Sequence, residues 1–154
     1  MKRYPEDGNL TEPDRLFLKT WLQFDEKFLI QNITNRSLRY ERSTIQRRMG
    51  NILSLMGDYE QAAEYCQHAI ILLQDLHRDN PTAISYLAET AFAYDRLGQL
   101  MEATENDMVA ISAYQHAIRL LEDLRFQSVP IDDQRLADLY QRLAALGVRI
   151  HPSF

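Results

Sequence analysis

The tetrad Gln67-His68-Ala69-Ile70 returns at an offset of 48 as Gln115-His116-Ala117-Ile118. It brings Leu72-Leu73 and Asp75-Leu76 with it, as Leu120-Leu121 and Asp123-Leu124. A second block, Leu87-Ala88-Glu89 through Leu97-Gly98, returns at an offset of 49 as Leu136-Ala137-Asp138 through Leu146-Gly147. Two kinds of segment, A and B, therefore alternate along the chain. Self-similarity on this scale marks a chain built from stacked supersecondary units, each covering an apolar face of its neighbour.

The units are expected to be helical. Strands favour valine, and hairpins need glycine-rich turns. This chain of 154 residues has three valines (Val109, Val129, Val148), five glycines and five prolines. Six helices are expected. The opening one covers about 13–31, with Thr11 as N-cap, Pro13 in the first turn and Asp14 completing a capping box. Type A helices follow at about 37–56, 82–97 and 132–146, with type B helices at about 59–77 and 104–126. Gly57, Gly98 and Gly147 are each expected to close an A helix, and Pro81 and Pro130 to end the loops after the B helices. On that reading, the offset from Gly57 to Ala69 is 12, but that from Gly98 to Ala117 is 19. The difference places an insertion in Glu102–Ala110, as either helix or loop. Residues 1–154 form one domain on this reading.

Charge and composition narrow the function. Hydrophobic residues make up 45% and charged residues 25%, which excludes disordered and collagen-like classes. The longest apolar runs are a few residues, far short of the ~20 that span a bilayer. Met1–Gly8 is charged and leads into no apolar core, so no secretory signal is expected. One cysteine, Cys66, permits no internal disulfide, and a cytoplasmic location is expected. Residues 1–50 carry a net +3 and residues 51–154 a net −8. The cluster Arg36, Arg39, Arg42, Arg47 and Arg48 is too narrow for nucleic acid in a chain of net charge −5. Contact with an acidic peptide, or ion pairs to the acidic B helices, uses it better.

Gly50, Leu53, Gly57-Asp58-Tyr59, Ala62, Tyr65 and Ala69 resemble the tetratricopeptide repeat. Small residues at Gly50, Ala62 and Ala69 let two helices approach, while Leu53 and Tyr59 fill the wedge beside them. Ala91, Gly98, Leu100, Ala103 and Ala110 resemble a second copy, and a third has only its A helix. The resemblance implies an all-α, right-handed solenoid of helical hairpins, about two and a half repeats long (38–80, 82–128 and a partial 132–147), behind the opening helix. A narrower likeness rests on Gln46-Arg47-Arg48-Met49-Gly50-Asn51-Ile52 and Gly57–Ala62, which look like repeats appended to bacterial serine/threonine protein kinases. It implies a fragment or small relative of a signalling protein. No Gly-rich phosphate loop, HRD-type loop or DFG occurs in the chain itself.

The resemblance implies a peptide-binding groove lined by the A helices. Residues expected there are Arg47, Asn51, Ser54, Glu89, Phe92, Asp95 and Arg96. In the version of the family that holds a C-terminal carboxylate, Arg47 and Asn51 match the first two positions. Glu89, Gln134 and Asp138 depart from the later ones, and two of these would repel an anion. The plain alternative is that Arg47 and Asn51 belong to a solvated face. A bipolar groove is also expected: Arg47 and Asn51 attract an acidic segment, and Glu89, Asp95 and Asp138 a basic one. Phe92 either anchors a ligand side chain or caps the core.

Glu64 and His68 stand four apart, as metal ligands can. His68 and His116 occupy one repeat position, however, which reads as duplicated surface histidine, and no metal or cofactor is expected. Cys66 is expected to pack as a small hydrophobe. No nucleophile has an activating neighbour, so the chain is expected to be a non-catalytic protein- or peptide-binding scaffold. The competing expectation is self-association through the C-terminal helix: its stripe Leu136, Leu139, Tyr140, Leu143 and Leu146 has no following helix, and either docks on the second A and B helices alone or is completed by another subunit.

Overall fold

Every regular element among the described residues, 9–148 of this computed structural model, is a helix. Helix α1 is Glu12–Gln31, α2 Arg39–Leu55, α3 Tyr59–Asp79, α4 Ser85–Ala103, α5 Asp107–Phe126 and α6 Asp133–Ala145, with a 3-10 turn at Arg36–Leu38 leading into α2. The starts are written in the local sequence. The Thr11 hydroxyl accepts from the Asp14 amide while the Asp14 carboxylate accepts from the Thr11 amide, closing the expected capping box. Asp58 caps α3 through the Gln61 amide, and Asp132 caps α6 through that of Arg135.

The ends correct the sequence reading. Four residues sit in the left-handed region: Gly57 (φ 83°), Glu105 (59°), Ser128 (61°) and Gly147 (84°). After each, the next amide donates back to the carbonyl five residues earlier: Asp58 to Leu53, Asn106 to Met101, Val129 to Leu124, and Val148 to Leu143. This is the Schellman closure of a helix. Gly98 closes nothing. It lies inside α4, which runs on to Ala103, and Glu105 makes the turn. The counterpart of Gly98 is therefore Gly50, at the same offset of 48 that relates Glu105 to Gly57. Ala69 and Ala117 both follow their interior glycine at an offset of 19, so no insertion exists. Glu102–Ala110 is the end of α4, a turn at 104–106 and the first turn of α5.

Packing follows chain order. Helix α2 pairs with α3 and α4 with α5; α3 lies on α4, α6 on α5, and α1 on α2. Alanines occupy the closest approaches: Ala62, Ala69, Ala110 and Ala117 are fully buried, two pairs related by the offset of 48. Along α2, Met49, Ile52 and Leu53 are buried, and Ile45 and Met56 half-buried. Tyr59, expected to fill the wedge, is exposed instead.

The first and last helices cover their apolar faces to different extents. The stripe on α6 is already covered: Leu136, Leu139 and Leu143 are buried against the core, with Tyr140 and Leu146 half-buried. It leaves little apolar surface for a partner. On α1, by contrast, only Leu18 and Asp25 are buried, and Phe24 is exposed. No helix among the described residues is long and apolar enough to cross a membrane.

Candidate functional site

Helices α2, α4 and α6 meet at one surface, tied together by ion pairs. Arg47 Nη2 on α2 donates to Glu89 Oε2 on α4 at 2.8 Å. Arg135 Nη1 on α6 donates to Asp95 Oδ2 on α4 at 2.7 Å. Arg47 and Asp95 are related by the offset of 48, so equivalent positions make inter-helix bridges of opposite polarity.

A cleft of about 530 Å³ opens between these helices. Its walls include Arg47, Arg48 and Asn51 from α2, Phe92, Asp95 and Arg96 from α4, and Arg135 from α6. Five of the seven residues singled out in the sequence thus share one cavity. The other two, Ser54 and Glu89, sit behind it: the Ser54 hydroxyl accepts from Arg96 Nη2 at 3.1 Å, and Glu89 is held by Arg47 and the Tyr40 hydroxyl. That hydrogen bond and the Glu89 charge hold the Tyr40 phenol above its ordinary pKa.

The charge pattern is not bipolar. Glu89 is matched by Arg47, and Asp95, almost wholly buried, accepts from Arg135 and from Gln99 Nε2. Asp138 is exposed, accepts from Gln134 on its own helix, and does not line the cleft. The base-seeking end expected from these three acids is therefore not formed. The lining holds four guanidiniums; Arg47, Arg48 and Arg135 pair with Glu89, Asp25 and Asp95, which leaves an excess of one positive charge, that of Arg96. Two of them retain an unused donor: Nε of Arg47 and Nε of Arg96 are buried with no hydrogen-bond partner.

Phe92 does not cap the core. It is 52% exposed, with the Arg135 guanidinium over its ring at 3.6 Å. Sequence reasoning missed Arg135, because the comparison with the carboxylate-holding pattern looked to Gln134 and Asp138 on that helix. It also missed the fully buried Asp25, which accepts from Arg48 Nε at 2.9 Å and Nη2 at 2.5 Å and so fastens α1 to α2. The one sequence signal was an acid interrupting the apolar run of α1.

The rest of the arginine cluster is spread out. Arg36 and Arg39 pair with Asp79 at the end of α3, as expected for bridges to a B helix, while Arg42 lines a separate groove between α1, α2 and α3. Cys66 lies at the cleft floor but is buried, its thiol donating to the Ala93 carbonyl at 3.1 Å. Burial pushes that thiol up to about 11, so it stays protonated at neutral pH. His68 and His116 are both exposed, His116 stacking on Tyr94, and no group of three or more His, Cys, Asp or Glu among the described residues is placed to hold a metal ion. Comparison of the chain with protein-family models, with curated proteins and with solved structures finds no match.

Proposed function

We propose that this chain is a non-catalytic protein-binding scaffold, a tetratricopeptide-like solenoid whose cleft between α2, α4 and α6 takes an acidic segment of a partner protein. The sequential packing and the equivalence of two hairpins at an offset of 48 support the solenoid reading. The observation that carries the binding reading is the cleft itself, whose four arginines exceed their paired acids by one positive charge, that of Arg96. A partner carboxylate accepts charge-assisted hydrogen bonds from these guanidiniums, and bonds of this kind are the strong ones. Phe92, exposed beside Arg135, gives an adjoining side chain an aromatic surface to lie on. The lone thiol suits a reducing cytoplasm. The likeness to kinase-appended repeats would make this chain a fragment or small relative of a bacterial signalling protein.

Selection from a library of random dodecapeptides tests the reading. Sequences enriched in Asp and Glu are expected, with binding that weakens as salt rises. The double variant Arg47→Glu, Arg96→Glu is expected to lose those peptides while keeping its helical circular dichroism. No enrichment, or enrichment of basic sequences, contradicts the proposal.

A further inference from the structure

We propose that the outer face of α1 is a self-association surface, on which a second copy of this chain lays its own α1 antiparallel. At 100° per residue, Leu16, Phe17, Thr20, Trp21 and Phe24 fall in one arc of about 140°. They stand out into solvent: Leu16 is 69% exposed, Phe17 50%, Trp21 38% and Phe24 67%. Phe17 and Trp21 already meet edge to face, with ring centroids 6.2 Å apart. The polar group at the centre of the arc is satisfied, because the Thr20 hydroxyl donates to the Leu16 carbonyl at 2.9 Å. A dry contact therefore leaves nothing unpaired there.

Symmetry fits the stripe to itself. A two-fold axis between Thr20 and Trp21 sets Phe17 of each copy beside Phe24 of the other and leaves Lys27 at the rim. Such an isologous contact closes at two copies. A second apolar patch among the described residues, Ile30, Ile33 and Ile71 around the groove between α1, α2 and α3, is interrupted by Glu26, Arg42, Gln46 and His68, so it matches the α1 stripe poorly for a head-to-tail stack. The α6 stripe is covered, and Met108 and Phe126 stand at opposite ends of α5. A lipid surface suits α1 poorly, since it carries four acids (Glu12, Asp14, Asp25, Glu26) against three bases (Arg15, Lys19, Lys27) and lacks the basic polar face of interfacial helices. The exposed parts of the four apolar side chains amount to roughly 450 Å² per copy, from typical side-chain areas. Two copies then bury roughly 900 Å² of apolar surface, below the ~1,200 Å² of a stable dimer and in the range of a weak, reversible one.

Sedimentation equilibrium between ~1 and 100 µM is expected to show a monomer–dimer equilibrium. Phe24→Lys raises the dimer Kd at least tenfold with unchanged circular dichroism; Leu16→Lys, at an equally exposed position, is the second variant and acts the same way. Thr20→Cys, beside the axis, gives a disulfide-linked dimer on mild oxidation, whereas the parent chain, its one cysteine buried, does not. A monomer at all concentrations overturns the proposal. So does association that Phe24→Lys and Leu16→Lys leave untouched, or assembly beyond two copies. Binding to anionic vesicles that Phe24→Lys abolishes assigns the face to lipid and overturns it as well. None of these results depends on the cleft.

Discussion

Replacing Gly98 with alanine sets two effects of opposite sign against each other. Gly98 lies inside α4 with ordinary helical backbone, and alanine in a helix interior is better than glycine by ~0.8–1.0 kcal/mol. The space for a methyl group is taken. A Cβ there would come within 2.6 Å of Tyr114 Cδ1 and 2.8 Å of Cζ, with Cε1 closer still. Carbon atoms prefer ~3.5–4.0 Å, so the ring must retreat by about 1 Å. It has little room to do so. Tyr114 is fully buried, its hydroxyl bonds to Glu102, and Arg142 both pairs with Glu102 at 3.3 Å and lies 5.9 Å over the ring. Overpacking of this kind costs ~1–3 kcal/mol, and contacts this short against a fully buried ring put it in the upper half of that range, leaving a net loss of about 1–2 kcal/mol after the helix gain. At ~2–4 °C per kcal/mol for a chain of this size, the melting temperature falls by about 3–6 °C. Circular dichroism melts and urea titrations read the change. The equivalent site in the first hairpin holds Cys66. In a Tyr114→Cys background, Gly98→Ala is therefore expected to be neutral or mildly stabilising. If the single variant is as stable as the parent, the ring is not seated under Gly98 and the repeat register is wrong.

Three further perturbations test other joints. Ala62→Phe, at a fully buried residue whose carbonyl faces Gly50, is expected to cost roughly 1–3 kcal/mol or more; an unchanged melting temperature would remove the α2–α3 packing. Asp25→Ala frees α1 from α2. Because Arg48 is partly exposed and rehydrates, the loss is about 1–3 kcal/mol, and emission from the only tryptophan, Trp21, 5.3 Å beneath that guanidinium, should change; identical stability and emission would refute the tie. Burial, aided by Glu122, pushes the Tyr140 phenol up to about 12, and burial with Glu102 pushes Tyr114 further in the same direction. A raised folded-state value favours the protonated fold, so this contribution is whole below pH ~10 and lost as pH rises from there through 12. Tyr140→Phe should flatten that decline, and tyrosinate absorbance showing all eight tyrosines ionising together near 10 in the folded protein would contradict it.

The sequence made the helices legible because their evidence is local and repeated. Alanines and leucines recur at a fixed spacing, and Thr11, Asp58 and Asp132 cap helices through residues three positions away. The boundary at Gly98 misled because glycine serves two purposes. At Gly57 and Gly147 it allows a left-handed turn, whereas at Gly98 it makes room for a ring from another helix. The real turn residue, Glu105, carries no such signal, since a side chain in that conformation costs ~1–2 kcal/mol and is seldom expected there. The cleft was half legible. Helical spacing put Arg47 with Asn51 and Phe92 with Asp95 and Arg96. Their electrostatics were not, because Arg47–Glu89 and Asp95–Arg135 join residues 42 and 40 positions apart, and only packing brings such charges together.

The most direct measurement maps an acidic peptide onto the protein. A selected dodecapeptide is titrated into isotope-labelled chain, and amide shifts are followed by NMR at two salt concentrations. The largest shifts are expected at Arg47, Asn51, Phe92 and Arg96, with affinity falling as salt rises and lost in the Arg47→Glu, Arg96→Glu variant. Shifts centred on α1 or on the outer faces of α3 and α5, or equal binding of a basic peptide, would contradict the assignment of the cleft as the acidic-segment site.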